Sequence, residues 1–182
     1  MGEVLVRVDK RDAVLGKVDR IKAHKEGILH RGFLIVVKNH ENNFYLTQRN
    51  PKRIICHGIR APFPSYWDCS VAGHPRWGQR GYVTQAMKEV EEELNMKISR
   101  KELKWLGKFY YEQSDEITKL VEHEICALFL LVVDNKISPN RTEISKAKWL
   151  TPRQLREFMK KNKITPWFLK ACELFPEIFK LR

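Results

Sequence analysis

The fold is decided by residues 67–96, which read WDCSVAGHPRWGQRGYVTQAMKEVEEELNM. The first seven residues predict a strand, and the glycines and proline of 73–78 predict the turn that leaves it. Four apolar residues then recur at helical spacing: Val83, Met87, Val90 and Leu94. Asn95 tolerates the left-handed backbone that ends a helix. The stretch therefore predicts a strand, a turn and an amphipathic helix in succession.

The flanking segments predict the rest of the sheet and two more helices. Residues 3–20 read as an opening hairpin, and 33–49 as a second hairpin with its turn in NHENN. Residues 50–66 contain three prolines and no clean periodicity, which predicts a long loop. Further strands are expected at 104–113, 123–133 and 146–150, and helices at 151–162 and 165–179, capped by Thr151 and Thr165. This order predicts an α/β layered fold with a mixed sheet.

Composition limits the class of protein. The chain has 182 residues, 43% hydrophobic and 31% charged, and no linker-like segment, so we expect a single domain over 1–182. No apolar run is long enough for a membrane span, and the N-terminus has no signal-peptide pattern, which favours a cytoplasmic protein. Four well-separated cysteines indicate neither a disulfide framework nor a zinc ribbon. These features leave monomer and homodimer open.

The net charge of +12 favours an anionic partner, and the central helix suggests which kind. Glu89, Glu92 and Glu93 stand at i, i+3 and i+4, so they are expected on one helix face, opposite the apolar stripe. Such a face can simply be solvated, with Lys88 nearby. Clustered carboxylates after a glycine turn also suit Mg²⁺ or Mn²⁺ in diphosphate chemistry.

This arrangement resembles the Nudix box, in which a glycine, five residues, a glutamate and seven residues precede REUxEExGU, with U apolar. Gly73 would be the leading glycine, and Gln79 stands where the middle glutamate is expected. Lys88 replaces the arginine and Asn95 the last glycine, and the spacing from Gly73 to Lys88 is one residue longer. The resemblance implies a Nudix-like α/β/α sandwich with a mixed β-sheet. It also implies that Glu89, Glu92 and Glu93 bind metal.

Four further motifs resemble type 1 isopentenyl-diphosphate isomerases, in the same order along the chain. They are KAHKEGILHRGF at 22–33, WDCSVAGHP at 67–75, EHE at 122–124 and ITPWF at 164–168. The resemblance implies a second metal site with these ligands: His24, His30, His74, Glu122 and Glu124. In a strand, Glu122 and Glu124 point to the same face and can reach one ion. Three imidazoles with two carboxylates suit a transition metal such as Mn²⁺, Zn²⁺ or Fe²⁺.

The same resemblance assigns the substrate-facing residues. Trp167 would face a developing carbocation, which its ring quadrupole suits, although core packing of the last helix also explains it. Tyr111 would line the same pocket. Arg20, Arg49 and Lys52 match basic positions that hold the diphosphate, and Arg53 could replace Lys52.

Ala72 departs from the isomerase pattern. It occupies the position of the cysteine that, together with a glutamate, moves protons in that family, and a methyl group cannot do so. Cys69 lies three residues earlier, an odd offset that points to the opposite face of a regular strand, so it is expected to be a buried apolar residue.

Three functions remain, in order of preference. The first is a Nudix hydrolase of a small diphosphate-linked substrate, with Glu93 as the favoured metal ligand and base and Glu92 beside it. The second is a divergent isopentenyl-diphosphate isomerase that uses Glu124 or Tyr111 for proton transfer. The third, and least favoured, is a non-catalytic module that binds nucleotides or RNA.

Overall fold

The computed structural model describes residues 3–79, 81–134 and 136–179. The described residues form nine strands and five helices. The strands are β1 (Val4–Val8), β2 (Val14–Asp19), β3 (His30–Lys38), β4 (Phe44–Arg49), β5 (Trp67–Asp68), β6 (Val71–Gly73), β7 (Leu103–Ser114), β8 (Val121–Val132) and β9 (Ile144–Leu150). The helices are α1 (Arg20–Glu26), α2 (Tyr82–Leu94), α3 (Pro152–Lys161), α4 (Pro166–Leu174) and α5 (Pro176–Phe179).

The sheet is mixed, as the sequence predicts. Its centre is a parallel pairing of β3 with β8, while β7 runs antiparallel to β8, and β4 and β6 run antiparallel to β3. Both hairpins are present, and Asn42 adopts the positive φ of 62° expected in the second turn. Residues 50–66 lack named strands and helices. In the described part of the chain, no helix is long and apolar enough to cross a membrane.

Alternation along β3 produces two cores, one on each face of the sheet. Leu34 and Val36 pack on one face, in a cluster that includes Phe168 of α4. Phe33 and Ile35 pack on the other face, in the cluster that contains α2. Because successive side chains of a strand point to opposite faces, both layers of helices find an apolar surface. This arrangement is the expected α/β/α sandwich.

Helix α1 was not predicted, although its sequence carries the signals. The Asp19 side chain accepts a hydrogen bond from the Lys22 amide at 3.0 Å, which caps the first turn. Gly27 ends the helix in the left-handed conformation, with φ of 61°. The seven residues between them are too few to show an amphipathic period, so the sequence did not predict that His24 lies on a helix.

The predicted strand at 67–73 is wrong in one respect, because it is two strands with different partners. Strand β5 pairs with β4, whereas β6 pairs with β3. Ser70 lies at the break, where its hydroxyl donates to the Tyr45 carbonyl at 2.7 Å and accepts from the Val37 amide at 2.8 Å. The odd offset between Cys69 and Ala72 therefore does not determine which face Cys69 points to, because the strand is interrupted between them. Cys69 is nevertheless buried, as expected.

The last predicted helix is also divided. Helix α4 ends at Leu174 and α5 begins at Pro176, because proline cannot donate the backbone hydrogen bond that would continue α4. Thr165 precedes α4 but its side chain does not cap the helix. Its hydroxyl donates to Asp68 instead. Thr151 does cap α3, in a capping box with Gln154.

Candidate metal centre and cavity

The five predicted histidine and glutamate ligands converge at one end of the sheet. His24 comes from α1, His30 begins β3, His74 follows β6, and Glu122 and Glu124 lie on β8. The parallel pairing of β3 and β8 sets His30 beside Glu124 in register. The period of two in β8 turns both carboxylates to the same face, as predicted.

Their donor atoms lie close enough to share an ion. One ligand atom each from His24, His30, His74 and Glu122 lies within 4.8 Å of the others, and all four residues are buried. Glu124 joins them, because its Oε1 is 2.8 Å from the Nε2 of His74 and 3.9 Å from the Nε2 of His30. The set matches the chemistry of a transition-metal site.

Backbone carbonyls orient two of the imidazoles. The Nδ1 of His24 lies 2.6 Å from the carbonyl oxygen of Arg20, and that of His30 lies 2.7 Å from the carbonyl of Ile28. Each Nδ1 therefore carries the proton and donates it, which leaves a lone pair on Nε2. Both Nε2 atoms, and Oε2 of Glu122, are buried without a hydrogen-bond partner among the described residues. These orphaned atoms fit a cation.

The pKa values of the cluster also indicate that a cation is the ligand. Burial opposes protonation of His74, but Glu124 and Glu122 outweigh burial and raise its pKa to about 9. Burial and the neighbouring His74 and His24 rings hold the pKa of His30 well below its usual value. Although burial opposes ionisation of Glu122, His24 and His74 hold its pKa well below the usual range. A divalent ion would satisfy the ionised carboxylate and displace the proton of His74.

Glu124 occupies space that is open because Gly32 has no side chain. A Cβ at Gly32 would lie 1.6 Å from Oε2 of Glu124. Burial, the charge of Glu124 and a hydrogen bond to Glu124 raise the pKa of Tyr111 well above its usual value. Glu124 thus touches both the histidine cluster and Tyr111.

A cavity opens beside the cluster. It is lined by Arg20, Phe33, Arg49, Arg53, Ala72, Gly73, His74, Tyr111, Glu122, Glu124, Cys126 and Trp167. Arg20, Arg49, Tyr111 and Trp167 thus line one cavity, and their roles toward a substrate stay predictions. Lys52 is exposed and does not line the cavity, whereas Arg53 does, which is the replacement considered from the sequence.

The acidic helix is arranged differently from the prediction. Glu93 is buried together with Val90 and Leu94, so the expected single face opposite the apolar stripe is wrong. Glu92 lies on the exposed side, where its Oε1 is 3.4 Å from Nζ of Lys88. Glu92 therefore points away from Glu89 and Glu93, which share the less exposed side of the helix.

Arg53 forms an ion pair with Glu93, the buried glutamate of α2. Its Nη2 lies 3.3 Å from Oε1 of Glu93 and 2.6 Å from Oε2 of Glu143. Burial raises the pKa of Glu93 to about 8, against the opposing effect of Arg53. Glu89 lies about one helical turn before Glu93 and accepts a hydrogen bond from Gln85 at 2.7 Å.

Sequence analysis missed three residues of this region: Gly32, Asp68 and Glu143. Gly32 lies within a quoted motif, and its missing side chain is the only signal it offers. Asp68 is an acidic residue in an otherwise apolar predicted strand, which is a signal that a buried polar partner exists. Glu143 carries no local signal, because only the packing of the 138–143 segment against α2 brings it to Arg53.

Comparisons with known proteins agree with this architecture. Residues 28–168 match the family model described as NUDIX domain. The chain is 32% identical to isopentenyl-diphosphate Delta-isomerase 1 of Photorhabdus laumondii, over 92% of each chain. It is 26% identical to human isopentenyl-diphosphate delta-isomerase 2, over 95% of this chain and 82% of the human one. It is also 25% identical to an uncharacterized Nudix hydrolase of Pseudomonas aeruginosa, over 95% and 93% of the two chains.

Solved structures show the same fold. A crystal structure from Deinococcus radiodurans superposes with a TM-score of 0.71 at 22% identity, covering 97% of this chain and 99% of the other. A MutT protein from Methanosarcina mazei superposes with a TM-score of 0.57 at 14% identity, covering 84% and 91%.

Proposed function

Because the chain belongs to the Nudix family, we propose that it is a metal-dependent enzyme that binds a small alkenyl diphosphate and moves a proton along its carbon chain. This is the isomerase alternative of the sequence analysis. One observation carries it: a single cavity is lined by one histidine and both glutamates of the cluster, three arginines and three large aromatic side chains.

The cavity has two chemically different parts that suit such a substrate. Arg20, Arg49 and Arg53 supply the positive charge that a diphosphate requires. Tyr111 and Trp167, with ring centroids 6.0 Å apart, supply an aromatic wall for a short hydrocarbon. The relatives named as isopentenyl-diphosphate isomerases support the same substrate class.

The residues of the chain divide the chemistry among them. Glu124 would donate a proton to the terminal carbon of the double bond, and its carboxylate would then accept one from the carbon on the other side. Tyr111, which lines the same cavity and whose pKa burial and the charge of Glu124 raise, would share that proton. The π-face of Trp167 would stabilise the positive charge that develops between the two steps. A divalent ion bound by His24, His30, His74 and the two carboxylates would supply the charge that holds Glu124 in place.

Hydrolysis of a diphosphate is the second candidate, and Ala72 favours it. With alanine in place of the isomerase cysteine, both proton transfers fall to one side of the cavity. Glu93 and Glu89 remain on α2 as Nudix-type carboxylates that could activate water. Arg53, however, already binds Glu93 in this structure, and Glu92 faces away. Because Glu93 is already paired and Glu92 points away, we favour proton transfer over hydrolysis.

The decisive experiment follows isopentenyl diphosphate in D₂O with Mg²⁺ and Mn²⁺ by proton and phosphorus NMR. Dimethylallyl diphosphate with deuterium incorporation and no released phosphate is the expected result. Release of phosphate or pyrophosphate, lost in Glu93→Gln, would replace the proposal by hydrolysis. Ala72→Cys should raise the isomerisation rate by about tenfold or more, since it restores a second proton-transfer group. Ala72→Ser is its matched control, because a hydroxyl is far less acidic than a thiol.

A further inference from the structure

Asp68 is a buried carboxylate that the proposed chemistry does not use. It is 3% exposed, at the end of β5, and lines a second cavity behind the first. Ala72, Arg49 and Arg53 line both cavities, so Asp68 lies directly behind the substrate-facing wall. A buried carboxylate is costly unless its oxygens are well satisfied, which makes its partners informative.

Its partners are the residues that begin α4. The indole N–H of Trp167 donates to both carboxylate oxygens, at 2.9 Å each. The Thr165 hydroxyl donates to Oδ1 at 2.9 Å, and the Cys69 amide donates to the same oxygen at 2.8 Å. Three donors from two segments therefore fix the carboxylate, and the carboxylate fixes the edge of the Trp167 ring.

Arg49 is the only cation that the described residues place within ion-pair distance of Asp68. Its Nη1 lies 3.7 Å from Oδ2, which is close enough for charge compensation and too far for a hydrogen bond. The guanidinium also lies 5.2 Å from the centroid of the Trp167 ring, and its Nε donates to the Pro62 carbonyl at 3.0 Å. Asp68 therefore forms no hydrogen bond with either Nη group of Arg49.

We propose that Asp68 is a positioning residue that couples the diphosphate end of the cavity to its aromatic end. It holds the Trp167 ring by its N–H and balances the charge of Arg49 without occupying the hydrogen-bonding groups that a phosphate would take. This proposal rests on the proposed function for the identity of the ligand. The contacts that carry it are independent of which reaction follows.

The proposal predicts effects of opposite sign from two substitutions. Asp68→Asn removes the negative charge beside Arg49, so the ligand-free state loses its charge compensation and an anion binds more tightly. Trp167→Phe removes the N–H that restrains both carboxylate oxygens. The freed carboxylate can then pair directly with Arg49 and compete with the anion, so binding weakens.

The first test measures the binding of inorganic pyrophosphate with Mg²⁺ to the full chain by titration calorimetry. We expect Asp68→Asn to bind about fivefold more tightly and Trp167→Phe about threefold more weakly. Asp115→Asn is the matched control, because Asp115 is also buried and accepts side-chain hydrogen bonds from Ile117 and Thr118 of its own turn, not from Trp167 or Arg49. It should lower the melting temperature and leave pyrophosphate binding unchanged.

Unchanged or weaker binding by Asp68→Asn would overturn the proposal. If that variant does not fold, Trp167→Phe decides, and unchanged binding in it overturns the proposal as well. Failure of the wild type to bind pyrophosphate would overturn the proposed function together with the role of Arg49.

The second test does not depend on any ligand. Proton–nitrogen NMR of the five tryptophan indoles, with the Trp167 signal assigned from Trp167→Phe, reports the hydrogen bond to Asp68. The Trp167 indole proton should move upfield in Asp68→Asn, because an amide oxygen is a weaker acceptor than a carboxylate. An unmoved signal would contradict the contact. If isomerisation is observed, its kcat should fall by about tenfold in Asp68→Asn while pyrophosphate inhibition strengthens.

Discussion

Two regions of this molecule carry clustered glutamates, and among the described residues only one of them brings its carboxylates together with histidines. Glu122 and Glu124 lie on β8, where a period of two and the pairing with β3 bring them to three histidines. The glutamates of α2 lie on a helix that is buried along one side, so neighbours in sequence receive different environments. The comparison teaches that carboxylate spacing predicts a site when the partner element is also fixed. A helix alone leaves its rotation open.

The largest effect should come from filling the space beside Glu124. Gly32→Ala places a Cβ where Oε2 of Glu124 now lies, so the carboxylate must leave the cluster. We expect transition-metal affinity to fall by roughly 100-fold, measured by competition with a chromogenic chelator. Gly81→Ala is the control, because a Cβ at Gly81 meets no atom within 4 Å. Equal metal affinity in the two variants would show that Glu124 is not needed for binding.

The next effect separates the two glutamate regions directly. Glu122→Gln should reduce bound transition metal by about tenfold or more, because it removes a ligand with a buried, unpartnered oxygen. Glu93→Gln should leave that metal in place and weaken only Mg²⁺-dependent binding of pyrophosphate. Metal analysis of purified protein and calorimetry make the distinction. Loss of transition metal in Glu93→Gln would join the two regions into one site.

A pH effect of intermediate size should mark the histidine cluster. The pKa of His74 is raised to about 9, above its usual 6.5, so protonated His74 stabilises the metal-free fold. This stability is complete below about pH 6.5 and is lost as the pH rises through about 9. Melting temperatures in EDTA should therefore fall over this range, and added Mn²⁺ should restore them at high pH.

His74→Gln isolates this contribution. Glu93, with a pKa raised to about 8, adds a fall of the same sign, so the difference between wild type and His74→Gln is the relevant quantity. Identical pH profiles for the two proteins would refute the coupling of His74 to the carboxylates.

The smallest effect should come from Glu92. Its side chain is exposed and pairs with Lys88 at i, i−4, an interaction that contributes only about 0.3–0.5 kcal/mol. Glu92→Gln should change metal content, pyrophosphate affinity and turnover by less than about twofold. A tenfold loss of Mg²⁺-dependent activity would instead return Glu92 to the site that the Nudix resemblance implies.

Patterns with a local cause could be predicted from the sequence. The two hairpins, the end of α2 at Asn95 and the shared face of Glu122 and Glu124 each follow from turn chemistry or strand periodicity. The order of the motifs also singled out the three histidines, whose convergence depends on long-range strand pairing. That information came from resemblance, because no periodicity in the chain specifies which strands are neighbours.

What could not be predicted depends on tertiary contacts. Helix α1 is too short for a period, and the break between β5 and β6 is stabilised by Ser70 reaching β3 and β4. Thr165 was expected to cap α4, yet its hydroxyl reaches Asp68, ninety-seven residues away in the chain. A cap is the local option for a threonine before a helix, and a buried carboxylate is a stronger acceptor when the fold supplies one.

The break at Cys69 and Ser70 also separates two residues with different roles. Asp68 pairs with β4 and holds the base of α4, whereas Ala72 pairs with Leu34 of β3 and faces the cavity. Because the two residues belong to different strands, the side chain at position 72 and the support of Trp167 depend on separate strand pairings.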